Sequence, residues 1–534
     1  MKLTILTLFI ICFSTSTLYS QYANVRISNI NQPHETSIMI NPFNTDIIVA
    51  AANIYTANSL SGYFYSSNAG LNWSGGILTS NVVMPFGDVV VIVDTSEHFY
   101  ILQNSNYPSF NVHLVQKSTD FGVTWSNGVT YGDTSKMQDK PWGCVDLTNS
   151  IYRNNIYITW SMFDEYMSYD PNDSSYIMFI RSTDAGLSFS TPLKICEVPG
   201  NAIDSSNTVE GAVPCVGPNG EIYVSWSGPL GIVFDRSTDG GYTWLDNDIF
   251  VAAQPGGWTF NIPGVMRCNG FPVTACDISG GPYNGTIYIN WSDQRNGTDD
   301  TDIWLIKSND GGSTWSSIKR VNDDPPPGRQ QFFNWMAVDQ ITGYIYIVFY
   351  DRRNYTNFQT DVYLARSTDG GDTFENVKIS QSPFYATANL FLGDYINISA
   401  HNNKIRPIWT RIDGSYMSIW TAIIDTFYTI GVQQLSSEIP ESHKLHQNYP
   451  NPFNPTTNIN FDIPVNCYVS LSIYNILGEE VTALVNENLS AGKYKVEWDA
   501  SGYPSGMYYC RIESKSDKLE GVNFYKTMKM VLIK

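Results

Sequence analysis

An eight-residue motif that recurs six times between residues 66 and 374 restricts the folds open to this chain more than any other feature. Each copy begins with serine, carries glycine at the fifth position and ends with tryptophan or phenylalanine. The third position holds an acidic residue or its amide: Asn68, Asp120, Asp184, Asp239, Asp310 and Asp369. These positions are 52 to 71 residues apart, and self-similarity at a long, regular interval is typical of repeat architectures.

The chemistry of this octet predicts a turn rather than a catalytic site. The side chain at the third position can accept hydrogen bonds from backbone N–H groups just ahead of it, which closes a tight turn. The glycine at the fifth position supplies a positive φ that other residues adopt only at a cost. We therefore assign the six third-position residues a structural role.

The segments between the octets alternate like short β-strands. In the third repeat, strands are predicted at 140–146, 155–161, 176–181 and 192–196, with the octet between the last two. Each repeat is thus predicted to be a four-stranded antiparallel sheet, the blade of a propeller. The octet matches the pattern S-x-D-x-G-x-x-[WF] of the Asp-box, or BNR, repeat. The middle of the chain resembles sialidases and other Asp-box β-propellers, which implies an all-β propeller at about 22–424.

The number of blades depends on how the two ends of the repeat region pair. Six octets favour six blades, as in sialidases, but three more strands follow at 395–400, 405–409 and 417–423. A fourth strand for them is available at 24–28, because its sequence NVRIS is nearly identical to NVKIS at 376–380. We predict seven blades, the last one completed by the N-terminal strand, with six blades as the alternative.

The first twenty residues are typical of an export signal. Lys2 precedes an apolar stretch at 3–13, which is too short to span a bilayer. A signal peptide is therefore predicted at 1–20, and no later stretch is apolar enough to predict a transmembrane segment.

The net charge limits the classes of partner that the protein can bind, and the cysteine content limits the disulfides that it can form. The net charge of −19 provides no basic surface for a phosphate backbone, so no nucleic-acid partner is expected. Export permits disulfides, although seven cysteines would remain after signal removal, which leaves at least one unpaired. Cys268–Cys276 and Cys467–Cys510 are the pairs predicted first.

The C-terminal part of the chain is a separate predicted domain. Residues 425–444 lose strand alternation and are predicted to be a linker, and the short strands after it indicate a small β-sandwich at 445–534. Its motifs QNYPNPFNP, IYNILGEEV, AGKYKVEWDA, SGMYYCRI and KTMKMVLIK resemble the C-terminal sorting domain of type IX secretion cargo. The resemblance implies recognition by that secretion machinery, passage across the outer membrane, and a secreted or cell-surface location.

The loops opposite the octets hold the charged residues with catalytic potential. The resemblance to sialidases implies three arginines that bind a sugar carboxylate, a Tyr–Glu nucleophile pair and an acidic aspartate. The candidates are Arg295, Arg352, Arg353 and Arg411 for the ligand, Tyr350 with Glu210 for the nucleophile, and Asp293 or Asp351 for the acid. The family's early Arg-Ile-Pro motif is missing, because Ser28 follows Arg26-Ile27. In the alternative interpretation these Asp–Arg pairs are salt bridges that anchor loops.

Two further groups of residues were considered on the same face. Asp139, Lys140, Glu210 and Asp394 lie where the chain enters the first strand of a blade. Asp299, Asp300 and Asp302 form an acidic loop that could hold a structural calcium ion through oxygen ligands, the alternative being a solvated loop. No other cofactor is predicted.

These observations leave three hypotheses for function. The first is a secreted or surface protein that binds glycans or protein partners through the face opposite the octets. The second is an exo-glycoside hydrolase of the sialidase type, and the third is a structural surface-layer component without a small ligand.

Overall fold

The chain folds into two compact units, Met1–Asp425 and Thr426–Lys534, in a computed structural model. The structure describes residues 22–55, 59–107, 110–325, 328–425, 433–436, 439–500, 503–515 and 523–534. The predicted signal peptide at 1–20 lies outside these residues. The described residues are all-β, with no helix among them. Accordingly, no helix with the length and apolar character of a membrane span occurs in the part of the chain that was described.

The described residues of the first unit form seven antiparallel sheets, here called blades 1 to 7 in chain order, each with four main strands. The strands of each blade are given from innermost to outermost. Blades 1 to 3 are, in turn, blade 1, His34–Ile40, Ile48–Tyr55, Ser59–Ser66 and Ser74–Ile77; blade 2, Val90–Val93, Phe99–Tyr107, Phe110–Ser118 and Val129–Tyr131; and blade 3, Met137–Val145, Ile156–Phe163, Ser174–Ser182 and Leu193–Lys194. The others are blade 4, Glu210–Val216, Ile222–Gly228, Gly231–Ser237 and Ile249–Ala252; blade 5, Val273–Cys276, Ile287–Asp293, Asp302–Ser308 and Lys319–Arg320; blade 6, Gln331–Val338, Ile345–Asp351, Gln359–Ser367 and Glu375–Lys378; and blade 7, Asn397–His401, Lys404–Asp413, Tyr416–Ile423 and Ala23–Ser28.

Five short strands lie outside this scheme. Met84–Pro85, Gly200–Asn201 and Phe384–Tyr385 each add to the edge of a blade, and Thr259–Phe260 pairs with Cys268–Asn269 as a separate hairpin.

The blades are arranged in a ring. The innermost strand of each blade contacts the innermost strand of the next, and Asn397–His401 of blade 7 contacts His34–Ile40 of blade 1. As predicted, Ala23–Ser28 pairs antiparallel with Tyr416–Ile423 and completes blade 7. The predicted all-β propeller is therefore confirmed. Its interior is formed by the apolar second strands and by large buried rings such as Trp160, Trp226 and Trp291.

The six octets form the same hydrogen-bonded turn. In every copy the serine hydroxyl donates to Oδ1 of the third residue at 2.8–2.9 Å. The backbone N–H of the glycine donates to the same serine at 2.9 Å. At Asp310, hydrogen bonds from Thr314 lower the pKa of the carboxyl to about 2. The third-position side chains are thus fully used in holding the turn, as a structural role requires.

Each of five octets also accepts a hydrogen bond from the preceding blade. A buried or half-buried cation of that blade donates to a backbone carbonyl of the turn: Arg406 to Ala69, Lys117 to Ala185, Arg181 to Gly241, Arg236 to Gly311 and Lys307 to Gly370. The glycines make this approach possible. A Cβ added to Gly241, whose φ is +83°, would lie 2.4 Å from the Phe179 ring of the preceding blade. The octets therefore join neighbouring blades as well as their own two strands.

The second unit is a β-sandwich. One sheet contains Gln433–Ser436, Gly492–Asp499, Thr456–Ile463 and Lys444–Leu445, and the other contains Glu480–Leu489, Cys467–Tyr474, Gly506–Lys515 and Asn523–Leu532. Apolar side chains from both sheets, including Phe461, Leu471 and Trp498, form one core. Because Gln433–Ser436 belongs to the first of these sheets, part of the segment predicted as a linker at 425–444 is structured within this unit.

The two predicted disulfides are wrong, because all seven described cysteines are free. Cys268 lies in the hairpin paired with Phe260, whereas Cys276 pairs with Ile287 in blade 5. In the second unit Cys510 lies opposite Ile473, six residues along the strand from Cys467. At about 3.3 Å per residue, that offset is far beyond the reach of a disulfide.

Candidate functional site

Backbone bulges shape the innermost strands at the face opposite the octets. In blades 1, 3, 4 and 6 the pairing of the innermost strand shifts register near its start. A residue in the left-handed region lies at each shift: Glu35, Lys140, Gly211 and Phe333, with φ between 50° and 76°. Bulges re-aim side chains and concentrate near functional sites, and strained non-glycine residues persist only where the surrounding structure enforces them.

These strand starts bring six charged residues together, which we call the axial cluster. Its members come from five blades: Glu35, Asp88, Asp139, Lys140, Glu210 and Asp394. The predicted group of Asp139, Lys140, Glu210 and Asp394 is thus brought together by the structure. Their separate positions in sequence converge because every innermost strand borders the same axis.

Lys140 is the centre of the axial cluster. Its Nζ lies 3.3 Å from Asp139, 3.5 Å from Glu210 and 3.4 Å from Asp394. The lysine and all three carboxylates are buried. One ammonium group therefore compensates three carboxyl groups from three blades in a region of low dielectric.

The remaining two carboxyl groups of the cluster have amide partners. The side-chain amide of Asn53 donates to Glu35, which also accepts the backbone N–H of Asp394 at 3.1 Å. Asn104 donates to Asp88 at 2.6 Å and to Asp139 at 3.2 Å. Hydrogen bonds therefore link blades 1, 2, 3 and 7 within the cluster.

The carboxyl groups of the cluster divide into protonated and ionised sets. Burial raises the pKa of Glu210 to about 8 despite the nearby Lys140, and burial together with Asp394 raises that of Glu35 to about 7. Burial and the neighbouring acids also raise the pKa of Asp88. Burial acts in the same direction on Asp139, but the charge of Lys140 and the hydrogen bonds from Asp88, Asn104 and Lys140 together outweigh it and lower the pKa to about 2. A proton donor and an ionised carboxylate thus lie on the same lysine.

Arg267 covers the cluster on its outer side. Its Nε donates to Asp394 at 2.8 Å and its Nη2 forms a second bond to the same carboxylate, while Nη1 lies 3.8 Å from Asp204. The guanidinium lies over the ring of Phe391 at 5.1 Å. The side chain is nevertheless 43% exposed, so one edge of a firmly held cation faces solvent.

Aromatic rings continue outward from Arg267. His34 contacts both Phe391 and the exposed Tyr55, with ring centroids 5.4 and 5.6 Å apart. On the other side, the hydroxyl of Tyr166 donates to Asp204 at 2.7 Å. We call the surface formed by Arg267, Asp204, Tyr55, Tyr166 and Phe391 the mouth.

The space beneath the mouth is too small for a sugar. A cavity beside Asp394 is lined by Trp142, Asn269, Phe271, Trp335 and neighbouring residues, and its volume is about 20 Å³. That volume holds about one water molecule. A ligand larger than water therefore enters this cavity only if the surrounding loops rearrange.

The predicted carboxylate-binding arginines do not converge on one pocket, so that prediction is wrong. Arg295 pairs with Asp293 at 2.5 Å, Arg353 with Asp351 at 2.7 Å, and Arg411 with Asp413 at 2.7 Å. In each case the carboxylate is two residues away in the same blade. These pairs are the loop anchors of the alternative interpretation.

Arg352 differs from the other three arginines. It is buried, and no carboxylate pairs with it among the residues described. Its Nη1 donates to the Pro263 carbonyl at 2.6 Å and its Nε to Thr360 at 3.0 Å. Burial lowers its pKa to about 10. Because it holds the 253–272 loop in place, it is a structural residue of the mouth rather than part of a pocket.

The predicted Tyr350–Glu210 pair is also wrong. The hydroxyl of Tyr350 donates to the Thr410 carbonyl at 2.6 Å in a fully buried position. Neither oxygen of Glu210 has a hydrogen-bond partner within the described chain, its contact being the ion pair with Lys140. The two proposed acids are held by hydrogen bonds within their own loops. Asp293 accepts hydrogen bonds from Trp291 and Arg295, and Asp351 accepts one from Arg353.

The acidic loop predicted as a calcium site does not gather its carboxylates. Asp302 accepts hydrogen bonds from Arg320, Asn322 and Asn296, whereas Asp299 is exposed. Asp300 is buried with one oxygen unpartnered. Among the described residues, three other carboxylates lie close enough together to share a metal ion, those of Glu197, Asp235 and Asp248.

Sequence reasoning missed Glu35, Asp88, Asp204 and Arg267. A recurring charged residue at the start of the innermost strand was the available signal, since Glu35 and Asp88 have the same left-handed backbone conformation as Lys140 at this point of their blades. Arg267 lies in the long 253–272 loop, whose path across the axis no local pattern indicates.

Replacing Glu210 by glutamine is expected to change how stability depends on pH. Wild-type Glu210 keeps its proton up to about pH 8, while the unfolded chain releases it near its ordinary pKa of about 4.3. Wild-type stability therefore falls as pH rises through this window. Glutamine cannot ionise, so the variant does not lose stability in this way. The free energy of unfolding of the variant should therefore rise relative to that of the wild type from pH 5 to pH 8, by at most about 1.4 kcal/mol per pH unit. Urea unfolding at four pH values measures this.

The matched control for this prediction is the exposed Glu165, changed to glutamine. Its unfolding free energy should run parallel to the wild type across the same pH range. A Glu210→Gln curve that is also parallel would show that Glu210 is ionised when folded.

Comparison with known proteins identifies the end of the chain. Residues 447–521 match the family described as "Secretion system C-terminal sorting domain". This domain indicates that the protein is secreted by the type IX system to the cell surface or the extracellular space, as predicted.

The propeller has more distant similarities. A xyloglucanase, Xgh74A of Acetivibrio thermocellus, is 26% identical over 286 residues, which cover 50% of this chain and 29% of the relative. The chain thus spans less than a third of the length of this curated relative. Among solved structures, the microbial sialidase Hz136 has a TM-score of 0.39 at 12% identity, covering 71% of this chain and 73% of its own. A family PL25 ulvan lyase has a TM-score of 0.46 at 12% identity, covering 77% and 98%.

Proposed function

We propose that this chain is a secreted Asp-box β-propeller that binds carbohydrate chains at the mouth, and that the axial cluster beneath holds the mouth in shape. The observation that carries the proposal is Arg267. Its guanidinium is fixed by the buried Asp394, yet it presents an exposed edge between aromatic rings. A pre-positioned guanidinium donates hydrogen bonds to hydroxyl or carboxylate oxygens, and rings offer apolar faces with polar rims.

Exposed aromatic residues on the same face support this proposal. They lie in the connections at this face or at the strand ends that border them: Tyr55, Tyr169, Phe358, Tyr385 and Tyr416. Exposed apolar surface marks an interaction site where it forms a contiguous patch. The similarity to a protein named as a xyloglucanase favours a polysaccharide over a protein partner.

The proposal is tested by replacing Arg267 with alanine in the secreted chain and measuring binding on a glycan array. We expect at least a tenfold loss of affinity for whichever glycans the wild type binds, about 1.4 kcal/mol. Arg329→Ala, an exposed arginine on the same face, serves as the matched control and should bind like the wild type. A wild-type protein that binds no glycan, or an Arg267→Ala variant that binds equally well, contradicts the proposal.

A glycoside hydrolase is the second candidate; the pKa values of the axial cluster favour it, but the loops over these buried carboxyl groups must open to admit a sugar. Glu210 with a pKa near 8 and Asp139 with one near 2 form the kind of acid and base pair that such enzymes use. Both lie within 3.5 Å of Lys140. The test is to incubate the wild type with a glycan that it binds on the array and to measure the release of reducing sugar. If sugar is released by the wild type but not by a Glu210→Gln variant that still binds the glycan, the function is hydrolysis rather than binding alone.

A further inference from the structure

Three carboxylates meet where blade 3 contacts blade 4. Glu197 follows the outermost strand of blade 3, Asp235 lies in the third strand of blade 4, and Asp248 precedes its outermost strand. One carboxylate oxygen from each lies within 4.8 Å of the other two. Oxygens that share a calcium ion lie 2.3–2.6 Å from it, so they can be up to about 5 Å from each other. The group therefore has the dimensions of a calcium site.

Unpartnered buried oxygens provide a second, independent observation. Asp235 is 0% exposed, and its Oδ1 accepts the backbone N–H groups of Arg236 at 2.7 Å and Leu245 at 3.1 Å. Its Oδ2 has no hydrogen-bond partner, and neither does Oδ1 of Asp248. A buried carboxylate oxygen without a partner is costly, so a cation bound to these oxygens would stabilise the fold.

The described residues supply no cation for this group. None of the three carboxylates forms an ion pair with a described lysine, arginine or histidine. Arg236 is adjacent in sequence, but its guanidinium donates to the Gly311 carbonyl and to Ser313 at 3.3 Å in the next blade. The ammonium of Lys194 lies over the ring of Tyr176. Both nearby cations are therefore committed elsewhere.

We propose that Glu197, Asp235 and Asp248 bind one calcium ion that joins blade 3 to the outer edge of blade 4. The donor set is composed of oxygen only, without the nitrogen or sulfur ligands that select zinc or copper. Calcium accepts an irregular shell of carboxylates, carbonyls and water, and so suits ligands from two blades. This site is separate from the mouth and does not depend on the proposed carbohydrate binding.

Calcium binding to the secreted chain tests this proposal. The protein is treated with EDTA, dialysed and titrated with CaCl₂ by calorimetry, and its thermal unfolding is followed with and without calcium. We expect one bound ion per chain and a higher unfolding temperature in calcium. Affinity should fall at least tenfold in Glu197→Gln and in Asp235→Asn. Because Glu197 is exposed, its glutamine variant should fold normally even if the Asp235 variant does not.

Two matched variants locate the ion. Asp246→Asn removes an exposed charge two residues from Asp248, and Asp299→Asn removes one from the other acidic loop; both should bind calcium like the wild type. A wild type with neither calcium heat nor a thermal shift overturns the proposal. Binding that is lost in Asp299→Asn and kept in Glu197→Gln overturns it as well.

Discussion

Replacing Lys140 by methionine should lower the free energy of unfolding of the propeller by about 3–5 kcal/mol at pH 7, because it leaves buried carboxylates uncompensated. Methionine keeps most of the volume of the lysine stem, so the loss reflects charge rather than a cavity. Three carboxyl groups from different blades contact this single ammonium. Urea unfolding of the secreted chain measures the effect.

The effect of Lys140→Met should also shrink as the pH falls from 7 to 4. In the wild type, Lys140 helps to lower the pKa of Asp139 and Asp394. The stabilisation that Asp139 contributes is present above an unfolded pKa of about 3.9 and is lost as the pH falls to about 2. Without the ammonium, burial meets less opposition at Asp139 and raises its pKa, whereas Arg267 still pairs with Asp394. The folded variant then takes up protons as the pH falls and regains stability. A deficit that does not change with pH would contradict this account.

Lys136→Met is the matched control for this change. Lys136 lies four residues earlier, is partly exposed, and pairs with Asp164 at 3.0 Å. Exposed pairs contribute about 1 kcal/mol or less. If both variants lost the same free energy of unfolding, the ion pairs of the axial cluster would contribute no more to stability than a partly exposed pair.

Deleting residues 23–28 should destabilise the propeller by at least about 3 kcal/mol. The deletion exposes the apolar surface that covers Ile27, which packs with Ile408 and Ile419, and burial of one such side chain contributes about 1.5–3 kcal/mol. It also removes Asn24, whose amide donates to the Ile379 carbonyl at 2.8 Å and accepts the Gln381 N–H at 2.8 Å. Each of those bonds contributes about 0.5–1.5 kcal/mol. Thermal and urea unfolding measure the loss.

A synthetic peptide of residues 22–30 distinguishes loss of pairing from general damage. Added to the deleted chain, it should raise the unfolding temperature, whereas a scrambled peptide should not. Arg26→Ala in the intact chain is the matched substitution, because the Arg26 side chain is exposed, and this variant should unfold like the wild type. A deleted chain as stable as the wild type would mean that blade 7 does not need its fourth strand.

The propeller could be predicted because its information is local. The octet forms a turn through hydrogen bonds among residues within five positions of each other, so its conformation follows from its local sequence. The N-terminal strand could be placed because it copies the outer strand of blade 6 almost residue for residue. The disulfides could not be predicted, since spacing in sequence does not reveal that Cys268 and Cys276 lie in different sheets.

The candidate site could be predicted only in part because it depends on convergence. Asp139, Lys140, Glu210 and Asp394 were recognisable at strand starts, but their partners come from other loops and blades, 35 to 359 residues away in sequence. Three of the four arginines favoured from the sequence were misassigned for the opposite reason: Arg295, Arg353 and Arg411 each have an aspartate two residues away. In a strand or a short loop that spacing lets the two side chains meet directly, as Arg295 and Asp293 do.

The closure of blade 7 sets an order for the formation of the whole ring. Ala23 pairs with Ile423, so about 400 residues separate the two strands of this pairing, and such long-range contacts are slow to form. The first strand can take its place only when the chain as far as the third strand of blade 7 is present. A chain cut short before residue 416 would offer it no partner. This last pairing therefore reports on the integrity of all seven blades, because a propeller that lacks blade 7 leaves Ala23–Ser28 without its partner strand.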